Sequence, residues 1–119
     1  MNFVHEYLAA EEEHQFVLLR SFLHGIKYES EEDCFSYFGD FDFTQINDDT
    51  KESLVRLAVY VSHALSKRFK KLPSWAKNEA LVMQPAYLGR GYSEAWLLYG
   101  PDAMRRHNFF IDPGALEVM

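Results

Sequence analysis

One stretch decides most of what this chain can become: NDDTKESLVRLAVYVSHALSKRFKK, residues 47–71. Leu54, Leu57, Ala58, Val61, Leu65 and Phe69 recur at steps of three and four, which lines them up along one side of an α-helix. Asp49 with Glu52 three residues on resembles a capping box, and Lys67 to Lys71 set positive charge at the negative end of the helix dipole. A helix over this stretch carries an apolar stripe that it cannot bury alone. The rest of the chain must therefore supply the other half of a core.

Upstream, Asn2 to Lys27 places Val4, Leu8, Phe16, Leu19, Phe22, Leu23 and Ile26 near helical spacing, interrupted by the polar stretch Glu11 to Gln15. This spacing predicts one long helix or two short ones, ending near Gly25. The helical pattern dissolves in YESEEDCFSYFGDFDF, Tyr28 to Phe43, which predicts a loop with short helical or extended pieces. Downstream, Pro73 punctuates and Ser74 is placed to cap a short helix through Val82. Pro85, Gly89 and Gly91 mark a loop, Ser93 caps EAWLLY, and Gly100-Pro101 ends that helix. A helical turn over Asp102 to Arg106, an extended run over Phe109 to Ile111, and a helix start at Asp112-Pro113 complete the series. The expectation is a mainly α protein: a single compact domain over residues 1–119, with about four to six helices and a short extended segment near the C-terminus.

The composition supports a folded core, with 48% hydrophobic residues among 119 and ten Phe, seven Tyr and two Trp. The only cysteine, Cys34, can form neither an intramolecular disulfide nor a cysteine metal cage. The first ten residues hold Glu6 and no basic leader, and the longest apolar runs, such as Leu57 to Val61, are far shorter than the roughly 20 residues of a membrane span. Cytoplasmic location, without secretion or membrane insertion, is the expectation. Charge is unevenly spread: residues 1–52 hold thirteen Asp/Glu against three Lys/Arg, and residues 53–119 hold five against nine, within a net charge of −6. The two halves are expected to pack together and soften each other's field.

Catalytic and cofactor motifs are thin. Glu11 and His14 form one E-x-x-H step, but carboxylate-bridged metal bundles need a second, and no other histidine has a glutamate three residues before it. Asp40, Asp42 and Thr44 mimic the opening of a calcium loop, yet Gln45 and Lys51 stand where that loop needs Gly and Glu. Asp48 and Asp49 instead read as helix-start residues. There is no G-x-S-x-G elbow and no phosphate loop, and Cys34 between Asp33 and Phe35 is expected to have a raised thiol pKa. No cofactor or metal is expected. The enzymatic alternative is a metal-dependent site assembled by folding from Glu11, His14, His63 and His107.

Surfaces offer more than motifs. The acidic aromatic stretch supplies Phe35, Tyr37 and Phe38 as candidate anchors and Asp40 and Asp42 as a rim for a basic partner. Trp75, Arg105, Arg106 and His107 are the candidates from the second half. Lys67, Arg68, Lys70 and Lys71 with Arg105 and Arg106 would make a phosphate-binding patch if folding joined them, and Trp75 and Tyr87 could stack on bases. That nucleic-acid reading stands third, behind protein binding and the enzymatic alternative, because the net charge is negative and no helix-turn-helix pattern can be placed. The closing segment AMRRHNFFIDPGALEVM is too apolar to leave in water, so it is expected to dock on the core with Leu116 and Val118 as its last contacts. Arg105 and Arg106 would then pair with the acidic N-terminal half.

LPSW at 72–75, the Pro-containing loop and short apolar helix that follow, and R-x-N-x-F-x-D from Arg106 to Asp112 with Leu116 beyond resemble a group of small bacterial helical proteins. Some of these are linked to helix-turn-helix regulators or toxin-antitoxin-like cassettes. The resemblance covers about residues 54–117, implies a regulatory or partner-binding role, and supplies no catalytic residues. The sequence thus points to a non-enzymatic bacterial protein that binds another protein, with homo-oligomerisation left open.

Overall fold

In the computed structural model, which describes residues 3–36, 38 and 41–117, the long helix predicted from the apolar stripe runs over Asp48–Phe69 (α4). It is buried on more sides than the stripe implies. Val55, Val59, Tyr60 and Ser62 are buried alongside Leu54, Leu57, Ala58, Val61 and Leu65, so α4 is the axis of the core rather than a lid on it. Phe69 is only half-buried at its end. The N-cap is Asn47, whose side chain accepts from the Thr50 backbone N–H at 3.0 Å, so the helix begins ahead of the predicted Asp49/Glu52 box. Lys70, left-handed at φ 61°, ends it with its N–H on the Ser66 carbonyl at 2.9 Å.

Two helices, Phe3–Ala9 (α1) and Glu12–Ile26 (α2), cover one side of this axis. The polar interruption at Glu11 to Gln15 is the junction between them. Gln15 lies buried there and donates to the Tyr7 carbonyl at 2.9 Å, which ties the end of α1 onto the first turn of α2. From Gln15 the buried positions Leu19, Leu23 and Ile26 follow at helical steps. A short helix, Glu31–Phe35 (α3), is capped by Ser30, and a 3-10 turn at Phe43–Gln45 is capped by Asp42. Between α4 and the C-terminal third, the structure departs from the predicted helix through Val82. Two 3-10 turns, Ser74–Lys77 and Glu79–Leu81, replace it, and Pro73 rather than Ser74 precedes the first. Asn78 breaks the run, because it stays extended while its side chain accepts from the Ala80 N–H at 2.9 Å.

The C-terminal third contains strand Tyr87–Leu88 (β1), helices Glu94–Tyr99 (α5) and Asp102–His107 (α6), strand Phe109–Phe110 (β2) and helix Pro113–Glu117 (α7). Ser93 caps α5, Gly100 ends it, and Pro113 opens α7, all as the sequence signals require. The described residues thus hold seven α-helices, one more than the predicted range. The two strands pair in parallel, Tyr87 with Phe109 and Leu88 with Phe110, and the rings of Tyr87 and Phe109 stack at 4.4 Å. A radius of gyration of 13.4 Å is close to the roughly 13.5 Å expected of a packed chain this long.

The closing segment is held by more than its side chains. His107 Nδ1 lies 2.8 Å from the Leu81 carbonyl, and the His107 carbonyl accepts from Met83 at 3.0 Å. The Asn108 side chain donates to the Met83 carbonyl at 2.8 Å, and backbone bonds from Tyr87 to the Asn108 carbonyl and from Gly89 to the Phe110 carbonyl continue the seam. Gly89 allows this close approach, since a Cβ would sit only 3.0 Å from the Phe110 carbonyl and the strands would have to give. Phe109, Phe110 and Leu116 are buried, whereas Val118 lies outside the described residues. The segment therefore closes the core as expected. Its arginines behave differently. Arg105 pairs with Asp102 and the end of α5, and Arg106 lines a cleft beside Lys67, so neither pairs with the acidic half among the described residues; Lys71 with Glu31 and Arg56 with Glu52 are ion pairs that join the halves. The physical reason is that α6 lies against α4, while its nearest carboxylate and carbonyls come from its own neighbourhood.

Two outcomes follow from the clasp. Phe109 is wholly buried, so Phe109→Ala should cost about 3–5 kcal/mol and deletion of residues 109–119 should abolish cooperative folding. Denaturant titration checks both, and a truncated chain that melts with the full chain would refute the clasp. His107 is also wholly buried, with Nε2 3.5 Å from the Ser62 hydroxyl, and burial pushes its pKa below 6.5, helped by the Arg106 charge and opposed by the Leu81 hydrogen bond. Below that pH the unfolded chain takes up a proton that the folded chain resists, so stability present above pH 6.5 is lost as pH falls toward the lower folded value. His107→Gln should remove a slope of up to about 1.4 kcal/mol per pH unit in this window. Parallel melting temperatures for both proteins from pH 7.5 down to about 5 would contradict this assignment.

Candidate functional site

The aromatic candidates of the acidic stretch turn inward. Phe38 packs against Trp75, the rings tilted and their centroids 4.2 Å apart, and the Trp75 indole N–H donates to the Phe35 carbonyl at 3.1 Å. Phe35 meets Phe69 edge-on at 5.7 Å. Phe38 and Trp75 are buried and Phe35 is half-buried, so these rings join the loop to the end of α4. Asp42 is exposed and accepts from the Thr44 N–H and hydroxyl at 2.9 and 2.6 Å, bonds that hold its carboxyl pKa below the ordinary value. Tyr37 and Asp40 lie outside the described residues.

Cys34 is buried below this cluster, where burial and the Glu29 charge push its thiol pKa up against the opposing charge of Arg68. Arg68 itself donates to the Ile26 carbonyl in the last turn of α2 and lies 3.9 Å from the Cys34 sulfur. The raised thiol pKa agrees with the sequence expectation, although burial rather than Asp33 is its largest cause.

The histidines and carboxylates of the enzymatic alternative are scattered. Glu11 and His14 are exposed at the start of α2, and His107 is enclosed with Ser62 in the core. His63 lines a cleft on α4. Among the described residues, no three His, Cys, Asp or Glu side chains are grouped so as to hold a metal ion. No helix of the described residues is long and apolar enough to cross a membrane.

The basic clusters meet only in part. Lys67 and Arg106 line one cleft of about 210 Å³ with Ser62, His63 and Ser66. Arg68, Lys71 and Arg105 are each turned to an internal acceptor, so a continuous six-charge patch does not form. Lys67 and His63 also line a larger cleft of about 480 Å³ at the end of α2.

An exposed apolar surface lies elsewhere. Helix α5 buries no residue fully: Leu97 is 42% exposed, Leu98 65% and Tyr99 84%, and Leu88 on β1 adds 54%. The helix is nonetheless fixed at both ends. Ser93 accepts from Ala95 at its start, and Trp96 packs edge-on against Tyr92 with centroids 5.9 Å apart. At its end the Arg105 guanidinium donates to the Leu97 carbonyl at 3.3 Å and the Gly100 carbonyl at 2.8 Å while pairing with Asp102. Gly100 approaches Trp96 and Met104 so closely that a Cβ would overlap both. Arg105, a candidate partner contact in the sequence, is thus a brace for α5. Sequence reasoning passed over Leu88, Leu97, Leu98 and Tyr99, although one signal was available. Four successive apolar residues, Trp96 to Tyr99, sweep most of a helix circumference at about 100° per residue, so they cannot all face one core.

No protein-family model matches this chain, and no curated protein or solved structure shows significant similarity to it.

Proposed function

We propose that this is a non-enzymatic, cytoplasmic bacterial protein that binds another protein, in a regulatory or antitoxin-like pair, and that α5 is the face it presents. The observation that carries the reading is the rigid exposure of Leu98 and Tyr99 on a helix clamped by Ser93 and Arg105. An apolar ridge that could fold inward would do so, because burying a leucine is worth about 1.5–3 kcal/mol. Here the clamp forbids it. The ridge is fixed where only a second surface can dry it, and Tyr99 offers an aromatic face with a hydroxyl suited to the edge of an interface. The partner fitting such a ridge carries an apolar groove, as in helix-in-groove recognition. The acidic aromatic stretch contributes less than its composition suggests, since Phe38 and Trp75 are spent on the core.

The test compares proteins retained from the native host by the wild type, by a Leu98→Asp/Tyr99→Ser variant and by a Lys77→Gln control. The expected result is a partner held by wild type and control but lost, by at least about tenfold, from the ridge variant, whose melting temperature stays within a few degrees of wild type. Retention of the same partner by the ridge variant would contradict the reading. So would self-association of the wild type that Leu98→Asp abolishes, because the ridge would then be a homotypic interface.

A further inference from the structure

We propose that the partner of the α5 ridge carries an arginine or lysine beside its apolar groove, and that Glu94 is the residue that selects it. The inference rests on the ridge reading above and names the chemistry of what the ridge meets. Trp96 is the one residue of α5 that is not exposed, and it packs against the core. At about 100° per residue, the direction opposite Trp96 falls between Glu94 and Leu98, about 20° from each. The crest of the helix is therefore not purely apolar. It sets a carboxylate one turn before the leucine, with Ala95 and Leu97 exposed on its flanks.

Helix-dipole compensation accounts for an acid in the first turn, where Glu94 follows the Ser93 cap. Any position of that turn would serve it, and it leaves the carboxylate without a partner of its own. Among the described residues Glu94 makes no side-chain hydrogen bond and no ion pair, although exposed Arg90 stands only four positions before it. At the other end of the helix the charges are matched within the molecule, where Arg105 holds Asp102 and the Leu97 and Gly100 carbonyls. A groove deep enough to dry Leu98 also takes Glu94 out of water, because residues four apart lie on one face of a helix. The carboxylate loses its hydration there, and a cation with hydrogen-bond donors is what restores it. A groove without one rejects the ridge, so Glu94 turns a general apolar attraction into a choice of partner. A second copy presenting the same crest brings only another Glu94 and Leu98, which leaves both carboxylates unmatched.

The test takes the protein that wild type retains and Leu98→Asp/Tyr99→Ser loses, purifies it, and titrates it with the full chain at about 0.05 and about 0.5 M salt. At the lower salt Glu94→Gln should weaken binding about tenfold and Glu94→Lys at least about a hundredfold, with both losses shrinking at the higher salt, while Lys77→Gln binds as wild type. Both Glu94 variants are to be shown folded by their melting temperatures. Replacing the partner's basic residues singly should find one whose loss weakens binding to wild type but not to Glu94→Gln. Glu94→Lys binding as tightly as wild type, or losses that are equal at both salt concentrations, would overturn this proposal and leave the ridge reading standing. Retention of the partner by Leu98→Asp/Tyr99→Ser, or retention of no protein by wild type, would remove the ridge reading and this proposal with it.

Discussion

Everything in this fold is arranged around the burial of α4 from Leu54 to Leu65. A helix with one apolar stripe can rest on a surface, but a helix that also buries Val55, Val59 and Tyr60 needs neighbours on most of its circumference. In a chain of 119 residues those neighbours must come from both directions along the sequence. Helices α1 and α2 supply one side, and α6, β2 and the 3-10 turn at Glu79–Leu81 supply the other. The core is therefore non-local, and the last elements of the chain are as necessary to it as the first.

That arrangement explains the treatment of polar groups near the axis. Ser62 and His107 are the polar pair buried where α4 meets α6, and each finds partners, Ser62 the Val59 carbonyl and His107 the Leu81 carbonyl. Among the described residues no buried side-chain polar atom lacks a hydrogen bond. Arg56, the one charge inside the buried run of α4, lies over the rings of Phe16, Tyr87 and Phe109 at 5.6–5.9 Å and pairs with Glu52 at 3.5 Å. The guanidinium thus leaves the core at the seam between α2 and the strand pair. The same economy of position governs the surface. Arg105 braces α5, Arg68 joins α4 to α2, and Lys71 joins α4 to α3, so most cations with structural work to do have it at element ends. The apolar ridge on α5 is a feature this pattern leaves over, and it carries the functional reading.

The legible parts of the fold were those set by local chemistry. The stripe of α4, the Ser93 cap, the stop at Gly100-Pro101 and the Pro113 start each rest on residues adjacent in sequence, and each appears as read. What the sequence hid depends on distant partners. Tyr87–Leu88 between Pro85 and Gly89 looks like loop until Phe109–Phe110 pairs with it. Ser74 looks like a cap until Asn78 is seen to stop the helix it would begin. The same limit applied to the site. His107 and Trp75 read as candidate contacts because polar or amphipathic residues at element ends usually meet solvent, yet the Leu81 and Phe35 carbonyls meet them inside. The larger cleft at the end of α2 is lined by both Lys27 and Lys67, forty positions apart, and only packing of α2 on α4 could reveal that.

Native-state hydrogen exchange measures the central claim directly, because the account makes the α4 axis and the C-terminal seam one cooperative unit. The amides of Val59 to Leu65 and those of Tyr87, Gly89 and Met83, which donate into the His107–Phe110 segment, should exchange only through global unfolding and share one opening free energy. Fast local opening of the seam amides, with α4 still protected at the global limit, would contradict it.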